Sequence, residues 1–344
     1  MTKSIGLTIA AVLCFGIQSE GRQMENTPTP ASGNESPQTV VTLKKIGLKE
    51  APTVDRVKLV GTRDSVVLLY SIRGAELHGS TVAIYATTPA EPERSASVMK
   101  IRTLLPARIA WDARIKDGDS YELVYEVAGG ALNSLRFASA TGEALDITTH
   151  YPFESFFHPH FIRSNSQNIT PAVAATVDKK KIVLFKQVGT AQEPTYRDLS
   201  VGDDGIVGGE NEPWVVVKHG QSGQALFDVL PGRLGLVSSR SPKSGAAAQE
   251  IVFPDRVAYE FDAAPLADDV LVFATGKPSV LLLGSRRAHP IQLSARERSW
   301  LGRLSSPSLY VDGTLVHIAG LLNPGAATAA VLYGSCPVAD LVKR

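Results

Sequence analysis

Cysteine, methionine and tryptophan are scarce in this chain, whose 344 residues hold only two, three and three of them. The cysteines, Cys14 and Cys336, sit near opposite ends, so removal of a leader containing Cys14 leaves no intrachain disulfide to form. A domain of this length buries roughly three quarters of its unfolded surface and needs no disulfide or metal staple. A dominant charge sign is also missing. The 35 basic residues face 34 acidic ones, and no basic stripe alternates with aromatics, which excludes nucleic acid as an expected partner. Gly-x-Ser-x-Gly, phosphate-loop and His-Glu-x-x-His motifs are all absent. Serine-hydrolase, nucleotide and zinc-protease readings therefore have no anchor, and no cofactor is expected. Helical periodicity is rare too; the clearest case, residues 294–304, is long enough for about two or three turns.

Long apolar runs are equally few. Lys3 precedes one from Ile5 to Ile17, short for a membrane span but suited to the core of a secretory signal peptide. Small residues at Ser19 and Gly21 place the expected cleavage, so residues 1–21 read as a leader. Residues 22–39, rich in Pro, Ser, Thr, Asn and Glu, read as a disordered tether. Export to the periplasm or the medium follows. A lipid anchor on Cys14 is the alternative, although Leu13 stands where Gly, Ala or Ser is expected before a lipidated cysteine. A second apolar stretch, residues 315–334, is broken by His317 and by Asn323, Pro324 and Gly325, so it reads as a hairpin and not a span.

What the chain has in quantity is repetition. Six times between Val54 and Cys336 an apolar strand, usually closed by an acid and a turn, is followed by a second apolar or aromatic strand. The first strands are read from Arg56, Arg108, Ala172, Ala225, Arg256 and Ser308, and the second from Val66, Tyr121, Ile182, Leu234, Val270 and Leu315. Val, Ile, Leu, Tyr and Phe between Gly, Asp and Pro make these strands. Units of about 50 residues cannot hide their apolar faces alone and must stack on their neighbours. The expected fold is all-β, a six-bladed β-propeller over residues 40–338 with a tail at 339–344. Two β-sandwich domains are the alternative. Val40 to Leu43 is the candidate outer strand for the last sheet, tying the chain ends together.

The second unit carries a resemblance. Tyr121-Glu-Leu-Val-Tyr-Glu126, followed after a Gly-Gly turn by Leu135-Arg-Phe-Ala-Ser139-Ala-Thr-Gly142, resembles blades of sialidase-like and related glycan-hydrolysing propellers. Those carry a Ser-x-Asp-x-Gly-x-x-Trp box; here Thr141 stands where Asp belongs and no Trp follows. The resemblance implies a propeller more than an enzyme.

Three first strands open with Arg and a β-branched residue: Arg56-Val57, Arg108-Ile109 and Arg256-Val257. Because first strands line a propeller's channel, these arginines are expected to converge at one mouth, where guanidiniums grip carboxylate, sulfate or phosphate. Local pairing with acids such as Asp55 and Asp255 is the competing account. Trp111 and Tyr259, with Trp214, are candidate contact aromatics. His158 and His160, two apart, share a strand face and with Glu154 or His150 form a zinc-site alternative to simple packing of Phe153, Phe156, Phe157 and Phe161 between blades. Asp112, Asp178, Asp228, Asp262 and Asp312 recur at first-strand ends, which speaks for turn hydrogen bonds and against catalysis. Asp203, Asp204, Glu210 and Glu212 lie in a Gly-rich loop without a known calcium-ligand spacing. The expected function is an exported, monomeric binding module for a glycan or a partner protein; a sialidase-like glycoside hydrolase acting on an acidic glycan is the alternative. Since no acid and nucleophile pair is identifiable, binding is favoured.

Overall fold

The computed structural model describes residues 40–48, 53–61, 65–76, 79–103, 110–115, 120–129, 132–139, 144–148, 155–161, 163–164, 172–177, 181–186, 214–219, 222–230, 233–238, 249–252, 258–266, 269–276, 279–283, 288–324 and 326–342. The leader and tether, Cys14, His150, Glu154, Arg108, Arg256, Asp178 and the Gly-rich acidic loop lie outside them.

Strand β1 (Val40–Ile46) precedes six blades that succeed one another along the chain and form five sheets, since β1 joins the last two blades into one eight-stranded sheet. The first blade is β2 (Val54–Gly61), β3 (Val66–Glu76), β4 (Gly79–Thr88) and β5 (Glu91–Thr103); the second is β6 (Trp111–Ile115), β7 (Tyr121–Gly129), β8 (Leu132–Ser139) and β9 (Leu145–Asp146). In the third, β10 (Phe156–Phe161) is followed by the two-residue β11 (Arg163–Ser164), which leaves the sheet, and then by β12 (Ala172–Val177) and β13 (Lys181–Lys186). The fourth blade is β14 (Trp214–His219), β15 (Ser222–Leu230), β16 (Arg233–Ser238) and β17 (Gln249–Val252), with β11 added in parallel to β14. The fifth is β18 (Ala258–Leu266), β19 (Asp269–Gly276), β20 (Ser279–Leu283) and β21 (Ala288–Ala295). After the single turn α1 (Arg298–Leu301) come β22 (Leu304–Val311), β23 (Leu315–Leu322) and β24 (Ala330–Pro337) of the sixth blade, then α2 (Val338–Val342).

The first strands touch in a closed circuit: β22 against β2, β2 against β6, β6 against β10, β10 against β14, β14 against β18 and β18 against β22. That circuit is a six-bladed β-propeller. Two facing layers would give no such ring, and Gln38–Arg344 forms one compact unit.

Stacking explains why the second strands read as unbroken apolar runs. Along β3, Leu68 and Tyr70 pack toward the sixth blade while Leu69 packs toward the second. Along β7, Leu123 and Tyr125 pack toward the first blade and Val124 toward the third. With side chains alternating between faces and both faces covered, every position is apolar. Each such buried Leu or Phe contributes about 1.5–3 kcal/mol.

Strand β1 closes the ring in two halves. Lys44 to Ile46 pair antiparallel with β24, completing the last sheet, while Val40 to Leu43 run parallel to β21 of the blade before. The N-terminal strand thus ties two blades; Val40 to Leu43, expected in the last sheet, pair with the fifth blade, and the three residues after them close the sixth. Two other differences have physical causes. Blades three and four begin one strand earlier than the acid-anchored repeat implies, at β10 and β14. Their acids misled: Asp228 lies within the second strand β15, and β10, with two histidines and Pro159, lacks an apolar strand pattern. Residues 294–304 form one helical turn only, because Ala288–Ala295 and Leu304–Val311 are claimed by sheets.

Candidate functional site

Four of the six innermost strands are bulged near their starts, between Val54 and Arg56, Phe157 and His160, Ala258 and Phe261, and Ser305 and Ser308. Two bulges put a non-glycine residue in the left-handed region immediately before proline: His158 at φ 50° and Ser306 at φ 48°. Such a backbone costs about 1–3 kcal/mol and persists only when its surroundings hold it. A glutamate of the preceding blade does so in each case, Glu126 accepting the His158 N–H and Glu260 accepting the Ser306 N–H. Three residues on, an aspartate repeats the grip. Asp112 Oδ2 accepts the Phe161 N–H at 2.8 Å, and Asp262 Oδ2 accepts the Leu309 N–H at 2.8 Å. The serines of β22 do the same for β2: Ser306 Oγ accepts the Val57 N–H at 2.9 Å and Ser308 Oγ the Leu59 N–H at 2.8 Å.

These bonds set two levels along the channel, because alternate residues of a strand share a face. Arg56, His158, Glu260 and Ser306, with Glu126 from β7, form the mouth. Lys58, Asp112, His160, Asp262 and Ser308 lie one level deeper, all buried. There Lys58 Nζ is 2.9 Å from Asp112 Oδ1 and 3.6 Å from Asp262 Oδ1. Arg163 reaches in from β11, its Nη2 3.0 Å from Asp262 Oδ2 and its Nη1 donating to the carbonyls of Ala263 at 2.8 Å and Leu309 at 2.9 Å. His160 Nδ1 lies 3.7 Å from Asp112 Oδ2. Burial and then the Arg163 charge lower the Lys58 pKa. Burial pushes the Asp112 carboxyl up, but Lys58 and His160 outweigh it and hold it well below the usual range. Burial keeps His160 on the neutral side. Two cations and two carboxylates therefore cancel in a buried floor across the channel.

Arg56 is the predicted arginine whose placement is described. The carboxylate of its neighbour Asp55 accepts the Ser71 hydroxyl, and Ser71 Oγ accepts the Trp111 indole N–H at 3.1 Å. Arg56 Cζ lies 5.9 Å from the Trp111 ring centroid. Trp111 itself is fully buried between the first two blades, so it backs Arg56 and cannot present its face to a ligand, contrary to the contact role its sequence position suggests. Tyr259 falls within the β18 bulge. Next to Arg56, burial pushes the Glu126 carboxyl up to about 7, against the pull of the His158 N–H and the Arg56 charge.

The histidines do not meet as a metal pair. The bulge at Pro159 separates them onto different carboxylates, His158 Nδ1 being 4.0 Å from Glu126 Oε1. Among the described residues no group of three or more His, Cys, Asp or Glu side chains is arranged to hold a metal ion. Phe156 and Phe161 are buried between blades two and three, which is the packing role. The recurrent aspartates divide: Asp312 caps a turn, its Oδ1 accepting the N–H groups of Thr314 at 2.8 Å and Leu315 at 2.7 Å, whereas Asp112 and Asp262 reach between blades. Asp312 Oδ2 also meets His317 Nε2 at 3.0 Å, and His317 Nδ1 meets the Tyr333 hydroxyl at 2.7 Å. An ionised Asp312 fixes the proton on Nε2, leaving Nδ1 to accept the Tyr333 O–H. Sequence reasoning missed Lys58 and Glu126. For Lys58 the signal was there, as polar pairs two residues apart inside the first strands: Arg56 with Lys58, His158 with His160, Glu260 with Asp262, Ser306 with Ser308; Glu126, in the second strand β7, has no such mark.

Comparison with solved structures bears on the fold alone. A protein of unknown function from Dyadobacter fermentans aligns over 85% of this chain and 98% of its own, at 10% identity and a TM-score of 0.52. The α-L-arabinofuranosidase PaAbf62A from Podospora anserina covers 88% and 98%, at 10% identity and 0.41. The fucose-recognising, six-bladed propeller lectin of Aleuria aurantia covers 69% and 78%, at 7% identity and 0.41. No family model matches the chain. No curated protein matches it either.

Proposed function

We propose that the protein is an exported binding module that receives an acidic group of a glycan or partner protein at the channel mouth, on Arg56. The supporting observation is the state of that guanidinium. Half-buried and backed by Trp111, Arg56 forms no ion pair among the described residues. Beneath it, Lys58 and Arg163 are balanced by Asp112 and Asp262, so the buried level adds no net charge under Arg56. The carboxylates around the mouth are engaged in holding blades together, Glu126 and Glu260 included, which disfavours an acid and nucleophile pair. Residues 1–21 serve as leader, 22–39 as tether, 40–338 as the propeller and 339–344 as its tail in this reading. A glycan array with the mature chain, repeated with Arg56→Ala, is the test: loss of on the order of tenfold in affinity is expected for a ligand read by one charge-assisted contact. Unchanged binding by the variant sinks the proposal.

Hydrolysis of an acidic glycan is the second reading, favoured by one observation: the Glu126 carboxyl, raised to about 7 beside Arg56, is in the range of a general acid. Turnover of chromogenic glycosides that disappears in Glu126→Gln would establish it.

A further inference from the structure

Glu126 and Arg56 stand on neighbouring blades at the same level of the mouth, and what surrounds the carboxyl decides what their proximity does. From β10 the His158 N–H donates to Glu126 and the His158 ring stands 4.0 Å off; from β2 comes Arg56; from just before β6 comes the backbone of Ala110. Along β7 itself, Glu122 shares the Glu126 face and is already paired with Arg114. Asp112 and His160 lie one level deeper, His160 Nδ1 3.7 Å from Asp112 Oδ2 and Lys58 on Asp112 Oδ1. Arg56 is thus the permanent positive charge acting on Glu126 among the described residues.

We infer that the mouth takes up an oxyanion together with a proton, so that Glu126 is neutral while an anionic group occupies Arg56 and ionised when the mouth is empty at alkaline pH. The inference rests on the binding role given to Arg56 above and adds its regulation. The physical link is reciprocal. Arg56 stabilises the Glu126 anion, so a ligand that neutralises Arg56 makes Glu126 hold its proton more tightly, and protonation of Glu126 in turn tightens the ligand by the same factor. A neutral Glu126 also gains an O–H that donates to the bound oxyanion, where the ionised form only repels it. An exposed carboxylate would be silent near neutrality; this one titrates at about 7 because it is buried. The Glu126 bond to the left-handed His158 explains why the carboxyl is kept there at all: the bulge that shapes the rim depends on it.

Isothermal titration of the full-length protein with two probes, sodium sulfate and methyl glucuronide, separates sulfate from carboxylate recognition. Each binds on the order of tenfold more tightly at about pH 5.5 than at about pH 8.5 in the wild type, with proton uptake at neutral pH shown by buffer-dependent heats. In Glu126→Gln, whose amide oxygen still accepts the His158 N–H, the pH dependence vanishes and affinity stays at the acidic value. Carbon-13 titration of Glu126 in Arg56→Ala shows its midpoint moving upward. Equal wild-type affinity at both pH values, or a slope that survives in Glu126→Gln and so belongs to His158, overturns the inference while leaving the mouth in place. An unmoved Glu126 midpoint in Arg56→Ala also overturns it. Failure of both probes to bind at any pH removes the binding role of Arg56 and this inference with it.

Discussion

The Asp112 carboxylate of β6 accepts the backbone N–H of Phe161 in β10 at 2.8 Å while its other oxygen meets Lys58 Nζ of β2 at 2.9 Å. One side chain thereby joins the innermost strands of three successive blades. Asp262 plays the matching part for β22, Lys58 and Arg163 on the other side of the ring. Ring integrity in this protein is consequently electrostatic at its centre and apolar between its blades.

Removing the shared cation should be costly. Lys58→Met leaves Asp112 and Asp262 buried with less compensation, and a loss of about 3–5 kcal/mol is expected for breaking one side of a buried ionic set. Urea unfolding of the variant measures it. A midpoint equal to wild type would show that Arg163 and His160 carry the centre without Lys58.

Closure by β1 gives a second expectation. A Cβ at Gly334 would stand 2.6 Å from the Thr42 carbonyl oxygen, a backbone atom of the closing strand. Gly334→Ala should push β1 away from β24 at a cost of about 1–3 kcal/mol, seen as a lower Tm. Deletion of residues 39–46 should lower Tm more steeply, because it also strips Val41 and Leu43 from the core. Melting curves that do not move would remove β1 from the closure.

The Glu126 carboxyl makes stability pH-dependent in an unusual sense. Its folded pKa, about 7, lies above the ordinary 4.5, so the folded state binds the proton more tightly than the unfolded chain does. Its favourable contribution is complete below about pH 4.5 and is lost as pH rises through about 7. Glu126→Gln should therefore be more stable than wild type at about pH 8 and lose that advantage at about pH 5, with a difference of at most about 3 kcal/mol. Denaturant titrations at the two pH values check the sign.

Asp312 works the other way. Burial nudges it up, but His317, Leu315 and Thr314 hold its pKa below the ordinary 3.8, so its contribution is present above that value and is lost as pH falls. Tyr333→Phe leaves His317 Nδ1 without the hydroxyl it accepts from and should cost about 1–2 kcal/mol at neutral pH. Thermal melts of this variant and of Asp312→Asn measure the two ends of the chain of bonds.

Much of the architecture was legible in the residues. The runs Val66 to Tyr70 and Leu123 to Tyr125 can be satisfied only by strands covered on both sides, and six such units have no economical arrangement but a ring. Pattern cannot tell which polar residues of an inner strand meet across the channel, since that depends on blade order and on bulges. Thus Asp112 looked like a turn residue and is a link between blades, and His158 and His160, which alternation would put on one face as an alternative metal pair, stand by different acids.

Solvent exclusion acts locally and period by period, so apolar spacing alone decided that this chain forms stacked sheets. The charges are another matter. Lys58, Asp112, Arg163 and Asp262 come from residues more than a hundred positions apart in the extreme, and their protonation depends on burial and on distances of a few ångströms that exist only after the ring has closed. Tertiary structure therefore settled how Lys58, Asp112, Arg163 and Asp262 meet, and why burial pushes the Glu126 carboxyl up to about 7.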